Sequence, residues 1–335
     1  MSPIDPTPPR VLTGDRPTGP LHLGHHFGTL QNRVRLQEQG VELFVLVADY
    51  QTITDRDSPA GLPDDVDGLV ADYLAVGIDP ERATIFAHSQ VGALNQLIVP
   101  FLSLVSVAEV RRNPTVKDEM RAAGGAAMSA LMFTYPVHQA ADILFCRATL
   151  VPVGRDQLPH VELARLIARR FNARYAEPAQ PFFPEPEAVL GEAPLLLGVD
   201  GGKMSKSRGN AIAIGASEDE MARLIRAART DSERAITYEP ERRPEVANLV
   251  LLAALCRDEA PEAVAEAIGT GGSAALKRVV IDAVNDRFRP VRARRRELIA
   301  DRGYLRAVLR SGSERARAIA EDTLAQVHAL MHTAY

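Results

Sequence analysis

Tryptophan is absent from these 335 residues, cysteine occurs only as Cys146 and Cys256, and no run of about 18 apolar residues is present. Neither cysteine stands in a C-x-x-C spacing, which excludes a disulfide framework and a cysteine-held zinc site and fits a reducing compartment. The missing apolar run, with a Pro-rich segment at residues 1–10 that has no hydrophobic centre, leads us to expect a cytoplasmic protein, neither exported nor membrane-spanning. A basic excess is missing too. The formal net charge is −4, so any nucleic-acid contact must be local rather than spread over the whole surface. The eight histidines show no clustered ligand spacing, and no protein-held metal is expected.

What is present is ordinary for a soluble chain: 46% hydrophobic and 24% charged residues, enough for a large domain and a smaller one. Residues 10–14 read as a strand, 15–20 as a turn and 21–39 as a helix. Strands are expected at 41–48, 84–87 and 150–153, and helices at 66–76, 95–105, 136–145 and 157–171. This alternation predicts a parallel sheet. Prolines mark 177–200 as a loop, and beyond Ser217 the chain reads as helix, with Gly/Ser breaks near 269–273 and 311–313. An α/β domain thus precedes a helical one.

Two segments carry chemistry. His22-Leu23-Gly24-His25 sits where strand and loop hand over to a helix. There free backbone N–H groups and the helix dipole favour an anion, glycine admits close approach, and imidazoles can donate to phosphate oxygens. The competing reading is an ordinary helix-capping turn. The second segment, Lys203-Met204-Ser205-Lys206-Ser207, is flanked by Gly201, Gly202 and Gly209. Lysines in such a loop can close over a polyphosphate and stabilise departing pyrophosphate. Its competing reading is a solvated basic loop.

In this order, bracketing an α/β region, the pair resembles the HIGH and KMSKS signatures of class I aminoacyl-tRNA synthetases. Thr134-Tyr135-Pro136, Ala140-Ala141-Asp142-Ile143, Val151-Pro152-Val153-Gly154, Asp156-Gln157 and Thr230-Asp231-Ser232 look like the tryptophanyl-tRNA synthetase family. The resemblance implies a Rossmann-like parallel-sheet catalytic domain at residues 1–200, a KMSKS loop at 201–210, and a C-terminal all-helical tRNA-binding domain at 211–335 that reads the anticodon. Its last helix would pack back on the first domain. It also implies a homodimer, with L-tryptophan, ATP accompanied by Mg2+ held mainly by phosphates, and tRNA(Trp) as ligands.

By the same resemblance, His22, His25, Lys203 and Lys206 are catalytic. Arg16, Pro17, Thr18, Gly24, His25, Gly154, Arg155, Asp156, Leu195, Lys203, Met204, Ser205, Lys206 and Ser207 would meet ATP. Asp142 would accept the indole N–H, a buried donor that needs a partner. Tyr135 and Gln157 would hold the amino acid's polar end, and Val151, Val153, Gln139 and Gln51 would line its slot. Taken singly, Asp142 could be a helix-surface carboxylate and each valine strand core. For tRNA the candidates are Arg111, Arg112, Lys117 and Arg121, then a second run of Arg287, Arg289, Arg292, Arg294, Arg295 and Arg296. Arg-rich solvated helix faces are the alternative for both.

Three pocket positions depart from the usual bacterial pattern: Arg16 stands where Gln is common, Gln51 where His is, and Gln139 where Met is. The first signature reads His-Leu-Gly-His where Thr-Ile-Gly-Asn is frequent. Such changes imply a divergent or second copy, with altered tolerance of tryptophan analogues or of an inhibitor such as indolmycin, or else neutral drift. The lack of tryptophan would suit an enzyme made when that amino acid is scarce. Tyrosine enzymes are the nearest relatives, and amino-acid-dependent pyrophosphate exchange separates the two. A catalytically silent tRNA-binding paralogue would show eroded signatures, and other HIGH-bearing nucleotidyltransferases generally lack KMSKS.

Overall fold

Five short, mostly apolar segments pair as parallel strands in one sheet, in the order β3-β2-β1-β4-β5. They are β1 Arg10–Asp15, β2 Glu42–Val47, β3 Ala83–Ala87, β4 Leu150–Val153 and β5 Glu187–Leu190. The computed structural model describes residues 9–54, 60–114, 116–117, 128–154, 157–190 and 195–335. β1 and β2 pair in register from Arg10 opposite Glu42 to Asp15 opposite Val47. The continuous apolar run of β2 is what a strand covered on both faces requires, because both of its alternating side-chain sets are buried. The strand order reverses between β1 and β4, which places a ligand crevice beyond the carboxyl ends of these strands.

The helices are α1 (residues 23–38, with a π-helical turn at His26–Leu30), α2 Leu62–Ala75, α3 Gly92–Gln96, α4 Ile98–Leu102, α5 Val107–Arg112, α6 Ala130–Leu144, α7 Leu158–Tyr175, α8 Glu218–Ala227, α9 Pro244–Arg257, α10 Pro261–Ile268, α11 Gly272–Ala300 and α12 Arg302–Leu330. Val11, Val45, Val47 and Ile85 point to one face of the sheet and join a core that runs without a break into α9 and α11, as far as Phe288 and Leu298. Leu12, Phe44, Leu46, Phe86 and Val151 point to the other face and pack with α6, α7 and α12. Among the described residues no helix is long and apolar enough to cross a membrane.

Three local expectations are corrected. Residues 177–200 are not all loop: β5 adds a fourth pairing, and its four residues between prolines are too short to read as a strand without their partner. The helix expected at 95–105 is two short ones. Pro100 cannot donate to the carbonyl of Gln96, so the helix tightens at Leu97, whose N–H is shared by Ala93 and Leu94. Finally, Ser311-Gly312-Ser313 does not break the last helix. These small residues let α12 lie against the edge of β3: a Cβ on Gly312 would stand 1.9 Å from the carbonyl oxygen of Ile85. The Ala87 N–H donates to Ser313 Oγ (3.3 Å), and Thr323 Oγ1 donates to the Phe145 carbonyl (2.8 Å). The helix thereby covers an edge that would otherwise present open strand groups. The real break is Asp301, whose side chain accepts from the Tyr304 N–H (2.9 Å) and starts α12.

Gly312→Ala should therefore lower stability by about 1–3 kcal/mol through overpacking, read as a fall in the urea midpoint at unchanged slope. A wild-type midpoint would mean that α12 does not bear on β3.

Candidate active site

The crevice is built from the turns and helices that lead away from the strand ends. After β1 comes the turn 15–22, closed by Pro17 in the core and a hydrogen bond from the Thr18 N–H to the Arg16 carbonyl (2.8 Å). At its end His22 caps α1, and its N–H donates to His25 Nδ1 (3.2 Å). That bond occupies the Nδ1 lone pair, so His25 carries its proton on Nε2, where it can donate. The two imidazoles lie 3.7 Å apart between centroids. Burial, then the neighbouring charge of Lys206, hold both neutral. For His22, His25 adds to the effect, and its pKa falls to about 3; that of His25 falls to about 4. A side chain at Gly24 would crowd the turn, since a Cβ would stand 3.0 Å from the His22 ring, and it would touch the sulfur of Met204 at 3.5 Å.

The Lys/Met/Ser/Lys/Ser loop meets this turn directly. Lys206 Nζ donates to the Gly19 carbonyl (2.7 Å) across 187 residues of sequence. Burial lowers the Lys206 pKa, opposed by Asp15, Asp72 and Asp65. Backbone bonds tie the first signature to the segment that follows the loop: the Leu23 N–H donates to the Ile212 carbonyl and the Ile214 N–H to the Leu21 carbonyl, both at 2.9 Å. The loop's shape depends on Asn210, a residue with no recognisable sequence signal. Its Oδ1 accepts from the Ser205 N–H (2.8 Å), while its Nδ2 donates to Asp200 (2.7 Å) and to the Lys203 carbonyl (3.0 Å). Lys203 itself is exposed, and Met204 is buried in the core, so a nucleotide contact at Met204 would go through its backbone. Leu195 is 67% exposed just before Leu197, which Asn248 clamps through both its N–H and its carbonyl.

Two buried ion pairs support the turn from below. Asp72, fully buried on α2, accepts from the Leu21 N–H (2.9 Å) and from Arg295 Nε (2.5 Å) of α11. Burial pushes its carboxyl up, opposed by Arg295 and that N–H. Asp15, at the carboxyl end of β1, accepts from Arg33 Nη1 (2.6 Å) and from the Tyr73 hydroxyl (2.7 Å). Burial would raise its pKa, but Arg33 outweighs burial and holds it at about 2.

A second cluster lies beyond β2, β3 and β4. Tyr135, His138, Gln139 and Asp142 share one face of α6, at helical spacing. Asp142 is buried at 1% exposure, and its Oδ1 accepts from Nε2 of His88, the residue directly after β3 (2.5 Å). His138 Nε2 donates to Asn95 Oδ1 (2.9 Å), whose amide donates to the His88 and Val91 carbonyls. The polar group introduced by Gln139 is satisfied away from Asp142: Oε1 accepts from His160 Nδ1 (2.5 Å), and Nε2 donates to Gln157 Oε1 (3.4 Å). The Tyr135 hydroxyl donates to Gln51 Oε1 (3.5 Å). Val151 is core and Val153 half-buried on the same strand face; the Gly154 carbonyl accepts from the Gln157 N–H (3.0 Å) at the start of α7. Sequence reading missed His88, His138 and His160, because nothing in their spacing foretells the contact.

His88, His138 and Asp142 have ligand atoms within 4.8 Å of one another and are, by type, metal ligands. Their geometry is that of a hydrogen bond instead. Two ligands on one ion at about 2.0–2.1 Å each stand farther apart than the 2.5 Å between His88 Nε2 and Asp142 Oδ1.

Compared with known proteins, residues 5–289 match the family model for tRNA synthetases class I (W and Y). The chain belongs to this family. The tryptophan–tRNA ligase of Lactococcus lactis is 39% identical over 98% of this chain and 99% of its own length, and that of Treponema pallidum 41% identical over 96% of each. The solved tryptophanyl-tRNA synthetase of Campylobacter jejuni, complexed with ADP and tryptophan, superposes with a TM-score of 0.83 at 30% identity, over 96% of this chain and 99% of that one.

Among this synthetase's basic residues, Arg111, Arg112 and Lys117 are exposed. The second arginine run divides. Arg292 is buried against Glu218 (2.8 Å) and Met221, and Arg295 is spent on Asp72, so these two are struts and are removed from the tRNA-binding candidates. Arg287, Arg289 and Arg294 pair at the surface with Asp258, Asp286 and Glu297. Asp231 of the Thr230-Asp231-Ser232 segment is structural too, holding buried Arg243 by two bonds of 2.7 Å. Arg121, Arg155, Asp156 and the side chain of Ser207 lie outside the described residues.

His26 follows the signature and packs edge-on to Phe27 and Phe288, with both ring nitrogens lacking a hydrogen-bond partner. Burial lowers its pKa to about 4 from 6.5. His22, His25 and His26 therefore stay neutral in the folded chain while the unfolded chain takes up protons near 6.5. Above that pH they cost no stability, and as pH falls from about 6.5 towards about 4, or about 3 for His22, proton uptake by the unfolded chain lowers stability. In His26→Phe the slope of unfolding free energy against pH in this window should be smaller by about 1 kcal/mol per pH unit. A slope equal to wild type, measured by urea titration at several pH values, would show that His26 titrates normally.

Proposed function

We propose that this chain is a tryptophan–tRNA ligase, which activates L-tryptophan with ATP to tryptophanyl-adenylate, releasing pyrophosphate, and transfers it to tRNA(Trp). One observation carries the reading: the turn and the loop that hold the two signature segments, far apart in sequence, are hydrogen-bonded to each other, while His88 at the carboxyl end of β3 holds the buried acceptor Asp142. In this reading the turn from Arg16 to Thr18, with Gly24 and His25, holds the phosphates. Gly154 and Leu195 lie on the nucleoside side. Asp142 accepts the indole N–H, while Tyr135, Gln139, Gln157, Gln51, Val151 and Val153 bound the amino acid.

A tryptophan carboxylate oxygen attacks the α-phosphorus in line, and pyrophosphate leaves. A terminal ribose hydroxyl of tRNA then attacks the adenylate carbonyl, releasing AMP. No side-chain nucleophile is required. Catalysis rests on alignment and on charge aimed at the phosphates. Neutral His25 supplies an Nε2–H donor, and neutral His22 stands beside it. Lys206, already seated at the turn, and Lys203 on the exposed arm of the loop bring positive charge to the leaving group. Mg2+ accompanies ATP and neutralises polyphosphate charge. Asp15 and Asp72, which both act on Lys206 through their charge, are each engaged by a guanidinium, so phosphate oxygens and water would hold that ion.

The same proposal includes a cytoplasmic homodimer, with exposed Val99, Leu102 and Val107 available for contact. Arg111, Arg112 and Lys117 would meet tRNA phosphates, and the helices beyond residue 211 would read the anticodon.

Pyrophosphate exchange into ATP should depend on tryptophan and not on tyrosine. Exchange with tyrosine alone, or with neither, would refute the assignment. Lys206→Ala should slow adenylate formation about 100- to 1,000-fold and change the tryptophan dissociation constant less than about threefold. An equal loss in tryptophan affinity would remove Lys206 from the transition state.

A further inference from the structure

We infer that His88 is a positioning residue for amino-acid selection: its Nε2–H holds Asp142 Oδ1 and leaves Oδ2 as the acceptor for the substrate's ring N–H. The inference rests on the reading of Asp142 given above and adds the part that makes a buried carboxylate selective.

A carboxylate closed off from water must find donors, or it turns, or it takes up a proton and becomes a donor itself. Either change would spoil recognition of indole, whose nitrogen only donates. His88 supplies the missing donor. It is fully buried at the carboxyl end of β3, 54 residues before Asp142, so this bond ties the end of the sheet to helix α6. The imidazole is held by its neighbours. Its ring stacks on His138, with centroids 4.6 Å apart and planes 22° from parallel, and lies 6.3 Å from the Tyr50 ring at 24°. Its backbone carbonyl is held by the Asn95 amide, which also fixes His138.

The bond selects the tautomer. His88 Nδ1 is buried with no hydrogen-bond partner, so a proton there would be an unsatisfied donor, whereas a proton on Nε2 is used. Asp142 thus has one oxygen fixed and one unused by that bond. Gln139, the other polar side chain one turn away on α6, cannot substitute, since His160 and Gln157 already occupy it.

Two complementary variants separate the donor from the ring: His88→Phe keeps a stacked ring and loses the N–H, while His88→Gln keeps a donor and loses the ring. The measurement is kcat/KM in pyrophosphate exchange for tryptophan and for 3-(benzothiophen-3-yl)alanine, in which sulfur replaces the ring N–H, with Asp142→Ala as reference. Folding of each variant is checked by thermal melting. The expected preference of wild type for tryptophan collapses in Asp142→Ala. It falls about 10- to 100-fold in His88→Phe, mainly through the tryptophan KM with the ATP KM held within about twofold. In His88→Gln it returns to within about fivefold of wild type.

If Asp142→Ala loses the preference and His88→Phe keeps it, or His88→Phe loses activity equally with both substrates, His88 is structural and the inference fails alone. If Asp142→Ala keeps the preference, the reading of the pocket fails and takes the inference with it. Should His88→Phe not fold, His88→Gln decides: loss of the preference in that folded variant overturns the role.

Discussion

The arrangement of this molecule depends on one buried carboxylate. Asp72 has no exposure to solvent, yet it reaches both the backbone before the first signature, through the Leu21 N–H, and the long helix of the C-terminal half, through Arg295. Arg295 gets there because Gly215 leaves it room; a Cβ at that position would stand 2.6 Å from the arginine side chain. Removing either partner would strand the other charge in a low-dielectric interior, which typically costs about 3–5 kcal/mol. The pair therefore specifies how the helical half meets the sheet. The same contact sets the signature turn against residues 212–214, and hence against the lysine loop, so the proposed phosphate site is an outcome of how the two halves pack.

Around that turn the electrostatics are divided by depth. The carboxylates beneath it are neutralised by arginines: Asp15 by Arg33, Asp72 by Arg295. The imidazoles at its rim are kept neutral by burial, which leaves them as hydrogen-bond donors rather than charges. Positive charge arrives only with the lysines. Such a site meets an anion without first having to break an internal ion pair at the rim, because its salt bridges lie below and its donors above. The proposed amino-acid side is built differently, with a buried carboxylate, Asp142, held by the His88 ring, which stacks on His138.

Much of this was legible in the sequence where local signals suffice. The apolar run of β2, the Gly-bearing turn before α1 and the helix carrying Gln139 and Asp142 are all readable from periodicity and residue type, though that helix starts earlier than read, at Ala130, and so takes in Tyr135. Their common location beyond the carboxyl ends of parallel strands is implied by the alternation of strand and helix. The features that escaped are non-local. Asn210 and Arg33 look like any other polar residues until the chain closes on Ser205 and Asp15. Arg292 and Arg295 resemble a phosphate-binding stripe by composition, and only packing shows that they face inward. Gly312 reads as a helix breaker because the carbonyl of Ile85 that demands it lies in another strand. β5 is invisible for the same reason, since four residues at a sheet edge take their conformation from β4.

His88 shows the same limit at the proposed amino-acid site, where the role inferred for it depends on a partner in a different element. A structure solved with tryptophan and a non-hydrolysable ATP analogue bound together tests the account most directly. It predicts the indole nitrogen about 3 Å from the Asp142 carboxylate, with His88 still on Oδ1, and the polyphosphate between the His22–His25 turn and Lys206. An indole ring lying away from Asp142, or phosphates seated away from that turn, would contradict it.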